Sequence, residues 1–122
     1  EGQVWEAAMF ADHYKLDNLC FIIDNNDLQI DGRVGEVSSP YPIDEKFRAF
    51  GFEVFCCDGH DFAALEKTFQ KVLKVTGKPA AIIAKTVKGK GVSYMEDQVG
   101  WHGKAPNDAE YEQGMKELEE VR

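Results

Sequence analysis

From Val4 to Lys15 the apolar residues Val4, Ala7, Ala8, Phe10, Ala11 and Tyr14 recur at helical spacing without Gly or Pro. This pattern predicts an amphipathic helix, and no capping residue precedes it. The run Leu19-Cys20-Phe21-Ile22-Ile23 is short and continuously apolar, as expected of a strand covered on both faces in a parallel sheet. Polar Asp24-Asn25-Asn26-Asp27 ends it. Gly32, Gly35, Ser38, Ser39, Pro40 and Pro42 make the stretch from Leu28 to Pro42 read as a loop. Asp44 then reads as the N-cap of a short helix through Phe50, closed by Gly51.

Phe52 to Cys56 reads as a second strand, and Asp58-Gly59-His60-Asp61 as a strand-to-helix turn. Phe62, Leu65, Phe69, Val72 and Leu73 then share one face of a helix that Gly77 ends at its C′ position. Ala80 to Ala84 is a third strand, and Thr86 to Pro106 a long Gly-rich loop. Asn107 or Asp108 caps a charged last helix running toward Arg122, whose Lys116 to Glu120 segment reads as a solvated face. Strands alternating with helices are most simply joined by right-handed crossovers. The expected fold is a three-layer α/β/α arrangement around a parallel sheet, a single partial domain over residues 1–122 that is incomplete at its N-terminus.

Composition narrows the function classes. The 122 residues are 43% hydrophobic with 8 Phe, 4 Tyr and 2 Trp, enough to bury a core. A net charge of −8 is the wrong sign for a general nucleic-acid binder. A phosphate would have to be met locally, by a metal ion, backbone amides or a few placed cations. Cys20, Cys56 and Cys57 show neither CxxC nor zinc-site spacing and read as reduced cytosolic thiols. No apolar run is long enough to span a bilayer.

Asp24-Asn25-Asn26 sits where the first strand ends, at the sheet edge where open parallel sheets hold ligands. An Asn side-chain oxygen followed by a backbone carbonyl suits Mg²⁺ or Ca²⁺; an Asx turn is the alternative reading. Lys88-Gly89-Lys90-Gly91 lacks the spacing of a nucleotide P-loop. A lone loop histidine such as His102 is usually structural or merely exposed, and His13 and His60 are read that way.

Four blocks carry a more specific signal: Glu1 to Ala7 (EGQVWEA), Asp24 to Gly32 (DNNDLQIDG), Thr86 to Gly91 (TVKGKG) and Trp101-His102-Gly103. Together they resemble transketolase over essentially the whole chain. The resemblance is to the diphosphate-binding domain of thiamine-diphosphate enzymes, and within it to the N-terminal subunit of transketolases encoded as two chains. The family's signature is Gly-Asp-Gly followed, after an intervening segment, by Asn-Asn. Asn25-Asn26 is present, whereas the Gly-Asp-Gly would lie just upstream of Glu1.

The resemblance implies that Asn26 gives its amide oxygen, and Leu28 its backbone carbonyl, to a divalent metal that also takes two phosphate oxygens of thiamine diphosphate. It further implies that Ile30 packs against the thiazolium region, and Gly89 and Gly91 would let the backbone pass close to the cofactor. Lys88 would supply local positive charge, and His102 would contact both phosphate and substrate. Glu1 and Glu6 match glutamates near a dimer interface that link paired active sites.

The implied activity is transfer of a two-carbon ketol unit from a ketose phosphate to an aldose phosphate. It implies a cytoplasmic enzyme of the pentose phosphate pathway whose complementary subunit carries the pyrimidine-binding domain, in a homo- or hetero-oligomer, with the chain inactive alone. 1-Deoxyxylulose-5-phosphate synthase or dihydroxyacetone synthase is the alternative enzyme reading, and a non-catalytic scaffold the alternative of another class.

Overall fold

The computed structural model describes residues 1–120 and resolves two compact units, one formed by residues 1–25 and 40–85 and the other by 26–39 and 86–120. In the first unit, α1 (Gln3–His13), β1 (Cys20–Asn25), α3 (Ile43–Ala49), β4 (Glu53–Asp58), α4 (Phe62–Val72) and β5 (Ala80–Lys85) build an α/β fold. The second unit holds a hairpin of β2 (Leu28–Gln29) and β3 (Gly32–Arg33), the single turn α2 (Val34–Val37), a 3₁₀ turn at Val99–Trp101, and α5 (Asp108–Glu120). No described helix is long and apolar enough to cross a membrane.

The sheet is parallel, in the order β1-β5-β4. This arrangement corrects one expectation. β1 was expected to be covered on both faces, but it is an edge strand and leaves Ile22 59% exposed. The fully covered strand is the central β5, where Ala80 through Ala84 are all buried. Asn25 and Lys85 are register partners, so β1 and β5 end side by side.

One sheet face carries the core. Ala8 and Ala11 of α1, Ile43 and Phe47 of α3, Phe52, and Val54, Ala81 and Ile83 of the strands cluster there, with Trp5, Phe21 and Phe50 against them. Phe47 contacts the rings of Trp5, Phe21 and Phe52 at centroid separations of 5.6, 5.8 and 5.3 Å. In α1 the small residues Ala8 and Ala11 allow close approach to the sheet, and the larger Phe10 and Tyr14 meet in a tilted ring contact outside. The expected apolar face of α4 is likewise only partly used, since Phe62 and Leu73 remain exposed.

Capping residues set several boundaries. α1 begins without a side-chain cap, as expected. α3 starts after Pro42 rather than at Asp44, which falls inside the first turn, where its charge complements the helix dipole. The helix ends in a Schellman motif, with Gly51 N–H donating to Arg48 O and Phe52 N–H to Phe47 O. Gly51 has φ +85°, and a Cβ there would meet Asp12 Oδ1 at 2.2 Å. Asp61 caps α4 by accepting from the N–H groups of Ala63 and Ala64. α4 closes at Leu73 rather than at Gly77, because turns from Lys74 and Val75 follow directly. Gly77 sits beyond them with φ +71°, its N–H donating to Asp17 Oδ2.

Candidate functional site

The second unit folds around a cleft of about 250 Å³ lined by Asn26, Leu28, Gln29, Ile30, Lys88, Val99 and His102. Its wall from the first segment begins where β1 stops. Asn25 Oδ1 accepts from Tyr41 Oη at 2.8 Å, while Asn26 Oδ1 accepts from Leu28 N–H at 3.0 Å, so the two adjacent asparagines have separate tasks. The Asx turn at Asn26 reverses the chain into the hairpin, in which Leu28 pairs with Arg33 and Gln29 with Gly32. Ile30 is carried at the tip and is 65% exposed, so it presents an apolar surface with little cover of its own.

The opposite wall comes from the Gly-rich loop. Gly89 does not line the cleft; it turns the loop beside it, with φ +69° and the Cβ of Met95 only 2.6 Å from where its own Cβ would stand. Lys88 is half-buried, and its carbonyl accepts from Asp97 N–H at 2.9 Å. His102 caps the 3₁₀ turn, with its N–H donating to Val99 O at 3.1 Å, and its side chain is exposed. The turn is fixed through Trp101: Lys104 Nζ lies 4.1 Å above the indole and pairs with Glu110 at 2.9 Å. Glu110 in turn accepts from Asn107 N–H while Asn107 Oδ1 accepts from Glu110 N–H, a reciprocal capping box that starts α5 and settles its cap as Asn107.

Of the residues expected at a site, Asn26, Leu28, Ile30, Lys88 and His102 thus converge on one cleft across as many as 76 positions of sequence. Glu1, ahead of α1, and Glu6, within its first turns, are exposed residues of the first unit. Gln29 and Val99 complete the lining and were not expected there. The first unit also has a groove of about 340 Å³, with Lys71, Lys74 and Lys78 along it. Lys71 lies in the last turn of α4, where cations complement the helix dipole, and Lys78 is paired with Glu53, so this groove shows fewer convergent free donors.

Chemically the cleft offers two hard, neutral oxygen donors on one side and a cation and an imidazole on the other. No cluster of three or more His, Cys, Asp or Glu side chains able to hold a metal exists among the described residues. A cation here would depend on Asn26 Oδ1, which keeps a second lone pair beyond its bond to Leu28 N–H, on the Leu28 carbonyl, and on oxygens brought by an anionic ligand. This donor set fits a Mg²⁺- or Ca²⁺-bridged diphosphate.

Residues 1–119 match the model of the family described as transketolase, thiamine diphosphate binding domain. The chain is 42% identical over 120 residues to an apulose-4-phosphate transketolase subunit of Actinobacillus succinogenes, covering 98% of this chain and 43% of that protein. It is 38% identical over 119 residues to the 6-deoxy-6-sulfo-D-fructose transketolase subunit SqwG of a Clostridium species, with coverages of 98% and 43%. The solved transketolase of Campylobacter jejuni superposes with a TM-score of 0.90 at 33% identity, over 98% of this chain and 18% of that one. A parallel-sheet α/β fold and a match along nearly the whole length define a cofactor-binding domain. The chain belongs to the thiamine diphosphate binding domain family of transketolases. It spans less than half the length of these relatives.

Proposed function

We propose that this chain supplies the diphosphate-binding half of a transketolase cofactor site and works only within a larger assembly. The observation that carries the reading is the convergence of Asn26, Leu28, Ile30, Lys88 and His102 on one cleft. Asn26 Oδ1 and the Leu28 carbonyl would hold Mg²⁺ or Ca²⁺. Lys88 and His102 would face the phosphate oxygens, and Ile30 would cover the thiazolium ring. When bound, thiamine diphosphate supplies the carbon nucleophile that carries a two-carbon ketol unit between sugars. His102, exposed at the rim, would also donate a hydrogen bond to the sugar.

The partner in this reading is the complementary subunit with the pyrimidine-binding domain, and the assembly is a dimer or higher oligomer to which Glu1 and Glu6 contribute interface carboxylates. Free Cys20, Cys56 and Cys57 support a cytoplasmic setting. The relatives' names include a sugar phosphate and a sulfo-sugar, so donors with a terminal anionic group, xylulose 5-phosphate first, form the substrate class and connect the enzyme to pentose phosphate metabolism.

The test reconstitutes the full-length protein with its complementary partner, thiamine diphosphate and Mg²⁺, and assays ketol transfer from xylulose 5-phosphate to ribose 5-phosphate. Apulose 4-phosphate, 6-deoxy-6-sulfo-D-fructose and pyruvate serve as alternative donors. Turnover only with pyruvate as donor, releasing CO₂ and using glyceraldehyde 3-phosphate as acceptor, would move the assignment to a deoxyxylulose phosphate synthase. A folded, cofactor-loaded assembly that turns over none of them would overturn the enzymatic reading.

A further inference from the structure

The two walls of the cleft are far apart in sequence, and one side-chain pair ties them together. Arg33, the last residue of β3, directs its guanidinium fork at the carboxylate of Asp97 in the Gly-rich loop: Nη1 donates to Oδ1 at 2.8 Å and Nη2 to Oδ2. Such bidentate pairs fix relative orientation as well as distance. Nη1 also lies 3.7 Å from Asp27 Oδ2, so one cation sits between two acids. Both acids adopt positive φ, 62° at Asp27 and 58° at Asp97, a conformation that Asp tolerates better than most residues.

Each acid is one bond or one hydrogen bond from a cleft residue. Asp27 lies between Asn26 and Leu28 in sequence, and its carbonyl accepts from Val34 N–H at 3.0 Å, closing the hairpin. Asp97 N–H donates to the Lys88 carbonyl at 2.9 Å. Through Asp97, Arg33 therefore reaches the backbone of Lys88; through its own pairing with Leu28, it reaches the wall that carries Leu28 and Ile30.

We propose that Arg33 and Asp97 are positioning residues that hold the hairpin wall and the Lys88 wall at the separation in which the cleft receives a diphosphate. The proposal rests on the reading of this cleft as the thiamine diphosphate site. It requires neither residue to touch the cofactor. Arg33 also offsets Asp27 and Asp97, two carboxylates whose charge would otherwise repel an anionic ligand in a chain of net charge −8.

Positioning and simple charge make opposite predictions for Asp97. Replacing Asp97 with Asn removes a negative charge, so electrostatics alone would tighten diphosphate binding. Loss of the clamp would loosen it. Arg33→Gln weakens binding on either account, which makes Asp97→Asn the deciding variant.

The experiment measures thiamine diphosphate affinity calorimetrically at fixed Mg²⁺, on the full-length protein in complex with its complementary partner. The wild type is compared with Asn26→Ala, Arg33→Gln and Asp97→Asn. We expect Arg33→Gln and Asp97→Asn each to lose at least tenfold in affinity. The cofactor concentration for half-maximal activity should rise in step while kcat at saturation and the melting temperature of the cofactor-free protein stay unchanged.

Unchanged or tighter binding by Asp97→Asn would overturn the clamp. A fall in the cofactor-free melting temperature that tracks the affinity loss would also overturn it, by reducing the pair to a stability contact. If Asn26→Ala has no effect on affinity either, the reading of the cleft as the cofactor site has failed. If Asn26→Ala weakens binding and the clamp variants do not, only the present inference has failed.

Discussion

Asn26 Oδ1 accepts a 3.0 Å hydrogen bond from the backbone N–H of Leu28, so the two candidate metal donors orient each other. Removing the amide frees the Leu28 N–H and loosens the turn that aims its carbonyl. Asn26→Ala should therefore lose more than tenfold in Mg²⁺-dependent cofactor affinity. Asn26→Asp keeps an acceptor for the Leu28 N–H and adds an anionic oxygen for the cation, and should stay within a few-fold of wild type. Titration calorimetry with and without Mg²⁺ checks both; an unchanged Asn26→Ala removes this residue from the ligand set.

Lys88 and His102 face the cleft from the other side, and their substitutions should separate two roles. Lys88→Met should raise the cofactor half-saturation constant about tenfold with little change in the KM for sugar phosphate. His102→Ala should raise both, because the exposed imidazole at the rim can reach cofactor and substrate alike. Steady-state kinetics on the assembled enzyme, varying cofactor and sugar separately, reads the two patterns.

Gly51 is constrained twice, by its positive φ and by Asp12. Gly51→Ala should destabilise the first unit by about 2 kcal/mol or more, combining left-handed backbone strain with a clash against the Asp12 carboxylate. Adding Asp12→Ala should recover the clash and leave the backbone cost of about 1 kcal/mol. Denaturant unfolding followed by circular dichroism gives both numbers.

The attachment of α5 should be acid-labile. Hydrogen bonds from the Asn107 backbone and from Lys104 hold the Glu110 carboxyl below its ordinary value, and those from Gln113 and Ser93 do the same for Glu117. A carboxyl whose folded pKa is depressed stabilises the fold fully above its unfolded value, near pH 4, and loses that contribution as pH falls through the folded one. Amide resonances of α5 should therefore broaden or shift below about pH 4, before those of β5. Glu110→Gln and Glu117→Gln together should flatten that early transition.

Much of the first unit was legible because its signals are local. Helix periodicity, the strand-to-helix turn from Asp58 to Asp61 and Gly51 as a stop all act within a few residues of where they stand. Burial was less legible: Cys20 to Ile23 and Ala80 to Ala84 are equally apolar, and only their positions in the sheet, edge for β1 and centre for β5, decide which is enclosed. The β2–β3 hairpin was read as loop because two-residue strands show no periodicity; Asp31-Gly32 was the one local hint. Asn26, Leu28, Ile30, Lys88 and His102 were legible through the family resemblance, and the fold brings them together. Gln29 and Val99 had no signal of their own, and Arg33 with Asp97 are joined only by folding across 64 positions.

Trp101 precedes His102 and contacts both Tyr94, with ring centroids 5.2 Å apart, and the ammonium of Lys104. Indole emission responds to nearby charge and packing, and this indole immediately precedes a residue that lines the cleft. The protein thus carries an intrinsic optical reporter of cleft occupancy. The only other tryptophan, Trp5, is packed against Phe47 and Phe50 in the first unit and provides an internal reference.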